Sequence, residues 1–182
     1  MKAKDCVLFS GAAAGAEAAF GEAAERWGID EVNFTFEGHP DARSRGIRVL
    51  TQSELRQGDV SLAYVSRLMN RQYKDTRLFK AVLQSIWHQI NSGQEVYVVG
   101  QILEDQTVRG GTGWGAEFAK LCNKPLFVFD QNDGGWFRWS GAKFEPAGDP
   151  TIGKAQFCGT GTRHLNDTGR AAIAALFERT FG

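Results

Sequence analysis

The sequence predicts an α/β fold, with a mainly parallel sheet, helices on both of its faces and a small β-hairpin insertion near the C-terminal third. Short apolar runs that are typical of buried strands alternate with longer segments of helical periodicity. Such alternation indicates a parallel sheet that is covered on both sides. Glycine-rich turns follow three of the predicted strands. The chain of 182 residues suits a single domain spanning residues 1–182.

The first elements alternate as a β-α-β unit. Cys6–Phe9 is a continuous apolar run, which predicts a strand buried on both faces. Ala14–Trp27 is rich in Ala and Glu and is followed by Gly28, which predicts a helix. Val32–Phe36 alternates as a second strand, and the polar segment Gly38–Gly46 predicts a loop.

The middle of the chain is predicted to be largely helical. Thr51–Glu54 resembles a capping box and predicts the start of a helix that runs towards Asn70. The polar segment Asn70–Thr76 interrupts it, and Leu78–Ile90 has a strong helical period that stops at Asn91–Gly93. The next strand is predicted over Glu95–Ile102.

The last third contains the predicted hairpin. After the second glycine turn, a short helix ends at Leu121. Strand patterns then place a hairpin around Ser140–Gly141, between two further strands. The predicted elements are a strand at Pro125–Asp130, hairpin arms at Trp136–Trp139 and Lys143–Phe144, a short last strand at Gln156–Cys158 and a final helix at Asn166–Phe181.

The composition disfavours several functional classes. Lys plus Arg and Asp plus Glu number 21 each, so the formal net charge is zero, and nothing global favours nucleic acid or an anionic membrane. Cys6, Cys122 and Cys158 are widely spaced, which argues against a disulfide framework or a zinc site. No apolar run is long enough to span a membrane. We therefore expect a cytoplasmic protein without a metal or a cofactor.

The three glycine turns are the main candidates for a binding site. Glycines between a strand and a helix let the backbone approach a ligand, and the start of a helix offers free N–H groups to an anion such as phosphate. Because the carboxyl ends of parallel strands share one edge, all three turns can face one crevice. The predicted ligand-binding residues in these turns are Ser10, Gly11, Ala12, Gly15, Glu17, Gly110, Gly111, Thr112, Gly113, Gly159, Thr160, Gly161, Thr162 and Arg163.

Four further side chains are candidates for the site. Trp114 lies inside the second turn and is the Trp best placed to stack on a base. Glu117 can orient a sugar hydroxyl or act as a general acid or base, or be stabilised by the helix dipole without a function. Asp130 and Gln131 follow a strand and can point into the crevice, although Asp130 can also be a loop carboxylate.

The first two turns share a small repeat. Four residues match at identical spacing, and such matches in glycine- and alanine-rich sequence also arise by chance. The matched sets are Gly11, Gly15, Ala16 and Glu17 in the first turn, and Gly111, Gly115, Ala116 and Glu117 in the second.

Three segments together resemble the SLOG superfamily. They are Ser10–Glu17, Gly110–Glu117 and Lys124–Gln131. This superfamily includes the LONELY GUY cytokinin-activating enzymes, the DNA-processing protein DprA and the YpsA-like proteins. The chain is most similar to small bacterial and phage members that have a Gly-Gly-Thr-Gly-Trp turn and a Gly-Thr-Gly-x-Arg segment.

The resemblance implies a Rossmann-like domain that binds a nucleotide or a nucleotide derivative. LONELY GUY members hydrolyse the N-glycosidic bond of a nucleoside monophosphate with a Gly-Gly-x-Gly-Thr-x-x-Glu motif. Glu117 matches the Glu of this motif, but Trp114 stands where the motif has Thr. We therefore predict a sensor or sequestering protein that forms a homo-oligomer and acts in phage–host conflict. The alternative is a phosphoribohydrolase-like enzyme that uses Glu117, with Asp130 assisting; DNA binding, as in DprA, is disfavoured by the zero net charge.

Overall fold

The predicted α/β fold is confirmed by a computed structural model, which describes residues 1–73 and 76–182. An eight-stranded sheet has the order β3-β2-β1-β8-β4-β5-β6-β7. The first six strands in this order are parallel, and β6 and β7 complete the sheet as an antiparallel hairpin. The strands are β1 Val7–Ser10, β2 Asp30–Thr35, β3 Ile47–Val49, β4 Glu95–Gly100, β5 Leu126–Asp130, β6 Gly135–Trp139, β7 Phe144–Pro146 and β8 Gln156–Gly161.

Helices cover both faces of the sheet, as predicted. The first and last helices pack on one face, and the other four lie on the opposite face. No helix within residues 1–73 and 76–182 is long and apolar enough to cross a membrane. The helices are α1 Ala16–Arg26, α2 Gln52–Arg56, α3 Asp59–Leu68, α4 Arg77–Ser92, α5 Thr112–Leu121 and α6 Asp167–Phe181.

Strand β4 explains why the sheet needs cover on both sides. All six of its residues are buried. Tyr97 and Val99 belong to the core beneath α1 and α6, whereas Val96 and Val98 belong to the core beneath α3, α4 and α5. Successive side chains of a strand point to opposite faces, so a continuous apolar strand requires a helical layer on each face.

The segment after the second strand differs from its prediction in two places. A short edge strand, β3, was missed, because it has only three residues and all of them are exposed. The single helix predicted from Thr51 towards Asn70 is wrong, because it breaks at Gln57–Gly58 into α2 and α3. Gly58 packs directly on the Trp87 side chain, so a larger residue at this break would crowd that ring. The capping box of Thr51 and Glu54 is confirmed, and the predicted interruption at 70–76 lies partly outside the described residues.

Strand β8 is longer than predicted and lies in the middle of the sheet. It continues from Gln156 to Gly161 and lies between β1 and β4. Gly159 and Gly161 are therefore strand residues, and the third turn begins at Thr162. Glycine is required at position 159 because the Phe20 ring occupies the space that a side chain would fill.

The strand order places a topological switch point around β8. The chain leaves β1 through α1 towards β2, and leaves β4 through α5 towards β5, in the opposite direction. In open α/β sheets, ligands bind in the crevice outside the carboxyl ends of strands at such a point. The predicted turns follow β1, β4 and β8, so the fold places all three at this crevice.

Candidate ligand-binding cleft

A cleft of about 610 Å³ lies at the carboxyl edge of the sheet. Each of the three glycine turns contributes to its wall, and helix α4 closes one side. The predicted site residues that line it are Glu17, Gly110, Gly111, Thr112, Gln131, Gly161, Thr162 and Arg163. The other lining residues are Ala13, His39, Phe79, Val82, Ser85, Ile86, Gln89, Gly100, Gln101, Arg109, Asn132 and His164.

Glu17 is the buried carboxyl of the cleft. One oxygen accepts a hydrogen bond from Thr160 Oγ1 at 2.8 Å, and the other accepts from the Ala13 amide at 3.0 Å. Burial raises the pKa of Glu17, while these hydrogen bonds, the charge of His39 and a hydrogen bond from Gln89 oppose the shift. Loss of water disfavours the charged form of a carboxyl group. Glu17 is therefore a buried carboxyl of raised pKa at the floor of the cleft.

The first and third turns touch each other. The Ala16 amide donates to the Thr162 carbonyl at 3.0 Å. Gly15 has φ 92° and ψ −126°, a conformation open almost only to glycine, and a side chain there would overlap the backbone of Thr162 and Arg163. This contact fixes where the Arg163 backbone passes the start of α1.

The second turn presents the start of α5. The N-cap is Gly111, which has no side chain that could cap the helix. The Gly113 and Trp114 amides donate back to the Gly110 and Gly111 carbonyls at 3.1 Å each. Among the described residues, no backbone acceptor engages the Gly111 and Thr112 amides. These two N–H groups, with the helix dipole behind them, are available to an anion.

Two arginines lie at the rim of the cleft. Arg109 and Arg163 are both exposed. Arg109 Nη1 donates to Gln101 Oε1 at 3.0 Å, which holds its guanidinium beside the second turn. Guanidinium groups bind phosphate oxygens in fork geometry, so the rim carries positive charge while the floor carries the Glu17 carboxyl.

Helix α4 supplies a wall that the sequence analysis missed. Phe79, Val82 and Ile86 form its apolar part, and Ser85 and Gln89 are its polar part. These two polar residues are four apart, so they share one face of the helix. The signal was present, because both are polar residues beside an otherwise apolar stripe, but the sequence does not show that this face borders a cleft.

Gln89 has an unusual environment. It is 1% exposed, and its Oε1 has no hydrogen-bond partner within residues 1–73 and 76–182. Gly11 lies so close to the Gln89 amide and the Glu17 carboxyl that a side chain at position 11 would overlap both. The backbone of the first turn thus brings Gln89 and Glu17 together at the floor of the cleft.

The structure places Glu117 and Asp130 away from the lining. Glu117 forms an ion pair with Lys120 at 2.6 Å, and both side chains are about nine-tenths buried. Lys120 also donates to the Gln106 carbonyl and lies over the Trp139 ring at 3.9 Å. Asp130 accepts from the backbone amides of Ile102, Asn132 and Asp133, which fixes the turn after β5.

The remaining predicted residues form the frame of the site. Trp114 is 4% exposed and belongs to the core, where its indole N–H donates to Ser66 Oγ at 3.2 Å. Ser10 is fully buried and donates to the Gly159 carbonyl at 2.7 Å. The other frame residues are Gly11 and Ala12 in the first turn, Gly15 before α1, Gly113 against the Val108 carbonyl, and Gly159 and Thr160 in β8.

Gln131 both lines the cleft and belongs to the frame of the site. It lines the cleft, and its Oε1 accepts from the Asn166 amide at 2.8 Å while its Nε2 donates to the His164 carbonyl at 3.2 Å. It therefore anchors the third turn to the end of β5. In the described part of the chain, no three His, Cys, Asp or Glu side chains converge as a metal site would require.

Comparison with other proteins gives no assignment. No family model, curated protein or solved structure matches the chain.

Proposed function

We propose that the cleft binds a nucleotide or a nucleotide-derived small molecule. The observation that carries this proposal is the polarity of the cleft at the switch point of the sheet. The amides of Gly111 and Thr112 and the guanidiniums of Arg109 and Arg163 suit a phosphate at one end. Glu17 suits the hydroxyl or amino groups of a sugar or base at the floor.

The size and the apolar wall of the cleft support the same ligand class. A volume of about 610 Å³ lies within the range of small-molecule sites. Phe79, Val82 and Ile86 offer an apolar surface against which a base can pack. Since Trp114 is in the core, we assign base contact to this wall of α4 instead.

The SLOG resemblance remains part of the proposal. Members that bind without turnover act as ligand sensors, and the replacement of the motif Thr by Trp114 favours that role. We propose a sensor or sequestering protein of the cytoplasm that acts in phage–host conflict by holding a nucleotide-derived signal.

The test measures binding directly. The protein is incubated with AMP, NAD and cyclic AMP, and the bound molecule is identified by mass spectrometry and its affinity measured by calorimetry. We expect one of these probes to be recovered intact. Arg163→Ala is expected to weaken the affinity for that probe about tenfold, because it removes a charge-assisted hydrogen bond. Arg170→Ala is the matched control, because Arg170 is an exposed arginine that pairs with Glu22 outside the cleft. Failure of all three probes to bind would overturn the proposal.

A second candidate function is hydrolysis of a nucleotide N-glycosidic bond. The observation that favours it is a buried carboxyl of raised pKa in the cleft, Glu17, which suits a general acid. In that case the incubation yields free base and ribose phosphate, and Glu17→Gln abolishes turnover. Glu117, the residue that the family motif suggests, is paired with Lys120, so Glu117→Gln is expected to keep the activity.

Self-association is also part of the proposal. Helix α3 leaves Val60, Tyr64 and Leu68 exposed at a spacing of four residues, which forms one apolar stripe. We expect a homo-oligomer in analytical ultracentrifugation and a smaller species for Tyr64→Glu.

A further inference from the structure

The floor of the cleft contains a hydrogen-bond acceptor that no described residue engages. Gln89 is 1% exposed, yet its Oε1 has no partner among the residues that the structure describes. Buried polar atoms are nearly always hydrogen-bonded, and an exception calls for a reason. Because Gln89 also lines the cleft, a bound molecule is the available source of the missing donor.

The orientation of the Gln89 amide follows from its neighbour. The Nε2 atom of Gln89 and the Oε2 atom of Glu17 both lie against Gly11, and the Gln89 amide lowers the pKa of Glu17. The amide nitrogen of Gln89 therefore lies on the side of Glu17, and its oxygen is the atom that has no partner among the described residues. Glu17 itself is held by Thr160 and by the Ala13 amide, so the whole acceptor group is fixed before any ligand binds.

We infer that Gln89 is a specificity-determining residue, whose Oε1 accepts a hydrogen bond from a neutral hydroxyl or amino group of the phosphorylated ligand. This inference rests on the proposed function, because it assigns the uncharged end of the same ligand. The donors of the second turn and the rim bind the anion, and Gln89 selects for a donor at the floor. A ligand without that donor leaves the buried oxygen unpaired and binds more weakly.

Two groups of a nucleotide supply such a donor, the ribose hydroxyls and an exocyclic amine of the base. The probes that separate them are AMP, 2′-deoxy-AMP, 3′-deoxy-AMP and IMP. Loss of affinity for a deoxy nucleotide assigns the donor to the sugar, and loss for IMP assigns it to the base. Either result supports the inference when the discrimination depends on Gln89.

The decisive variant is Gln89→Met, which removes the acceptor with little change of volume. We expect AMP affinity to fall at least tenfold, and the discrimination against the weaker analogue to disappear. Gln84→Met is the matched control, because Gln84 is a buried glutamine of the same helix that bonds Asp59 outside the cleft. It is expected to bind AMP as the wild type does.

Thermal unfolding separates recognition from a structural role. Because Gln89→Met removes the amide nitrogen beside Glu17 as well as Oε1, each protein is compared with its own free form. The AMP-induced rise in melting temperature is expected to be smaller for Gln89→Met than for the wild type. Equal AMP affinity and equal discrimination in Gln89→Met and the wild type would overturn the inference alone. Absence of binding by all nucleotide probes, to the wild type as well, would overturn both it and the proposed function.

Discussion

The first and second glycine turns carry the same four residues at the same spacing, yet they place their glutamates in different surroundings. Glu17 is the second residue of α1 and lies in the cleft, whereas Glu117 is the sixth residue of α5 and pairs with Lys120. When the two repeats are aligned, α5 begins four residues earlier than α1, a difference of about 6 Å along the helix axis. The start of the helix, and not the spacing of the motif, therefore decides which carboxyl faces the cleft.

The two equivalent glycines, Gly15 and Gly115, explain that difference. Gly15 has φ 92° and lies before the helix, against the third turn, while Gly115 is already helical. The first turn connects β1 to α1 directly. A longer loop, in which Ile102 and Val108 pair, precedes the second turn. Helix α5 therefore starts earlier in the motif than α1 does.

The largest expected effect comes from adding one methyl group at each of these positions. Gly15→Ala forces a side chain into a glycine-only conformation and into the Thr162 and Arg163 backbone; we expect a loss of about 3 kcal/mol or more. Gly115→Ala gains helix propensity, about 1 kcal/mol, and meets Ile86 at 3.2 Å, so its net change is expected to be small. Urea unfolding measures both, and equal losses would contradict the distinction between the two turns.

The second effect concerns the glutamates themselves. Glu117→Gln leaves the buried Lys120 without its anionic partner, and we expect it to cost about 1–3 kcal/mol, as for hydrogen bonds to charged groups. Nucleotide binding is expected to remain. Glu17→Gln keeps the shape of the side chain and removes a buried acid, so we expect little loss of stability and a clear loss of binding. The same urea series, with calorimetry on each variant, checks this reversal; binding lost in Glu117→Gln alone would contradict it.

The fold was predictable from the sequence because its signals are local. The alternation of apolar runs and helical periods depends on neighbouring residues, and it correctly predicted the helix Leu78–Ile90 and the hairpin around Ser140–Gly141. The edge strand β3 has only three residues, all exposed, and its pairing with β2 is decided by the sheet.

The site was less predictable, since it depends on which surfaces the tertiary structure brings together. The glycine turns were found, but Gln89 was not, because only the packing of α4 against β1 and α5 shows that this face of the helix reaches the cleft. Trp114 and Glu117 were chosen from a motif, and the early start of α5 turns Trp114 into the core and Glu117 towards Lys120.

A third effect is the pH dependence that Glu17 adds. Burial raises the pKa of Glu17 above its ordinary value of 4.5, so the folded state binds its proton more tightly than the unfolded state does. The contribution of Glu17 to the unfolding free energy is therefore fully present at low pH. It is lost as the pH rises from 4.5 through the folded-state pKa, and the unfolding free energy changes by at most about 1.4 kcal/mol per pH unit.

The measurement is the difference in unfolding free energy between the wild type and Glu17→Gln from pH 4 to pH 8. We expect this difference to shift in favour of Glu17→Gln as the pH rises. Burial also raises the pKa of Glu95, which has the same sign, but Glu95 is present in both proteins and cancels. A difference that stays constant with pH, or that moves in favour of the wild type, would show that Glu17 is ionised as readily in the folded chain as in the unfolded one.

The smallest effect comes from the exposed ion pair between α1 and α6. Arg170 and Glu22 lie 2.9 Å apart, as close as many buried pairs, but both side chains are more than half exposed. Water screens such a pair and its side chains lose entropy, so Arg170→Ala is expected to change stability by at most about 0.5 kcal/mol. Glu117 and Lys120 make a pair of similar length in a buried setting. Urea unfolding gives the loss of unfolding free energy for Arg170→Ala and for Glu117→Gln, and their ratio shows how much burial strengthens a pair of similar length. If the exposed pair costs as much as the buried one, distance alone sets the strength of these contacts, and the buried surroundings of Glu117 lose their explanatory role.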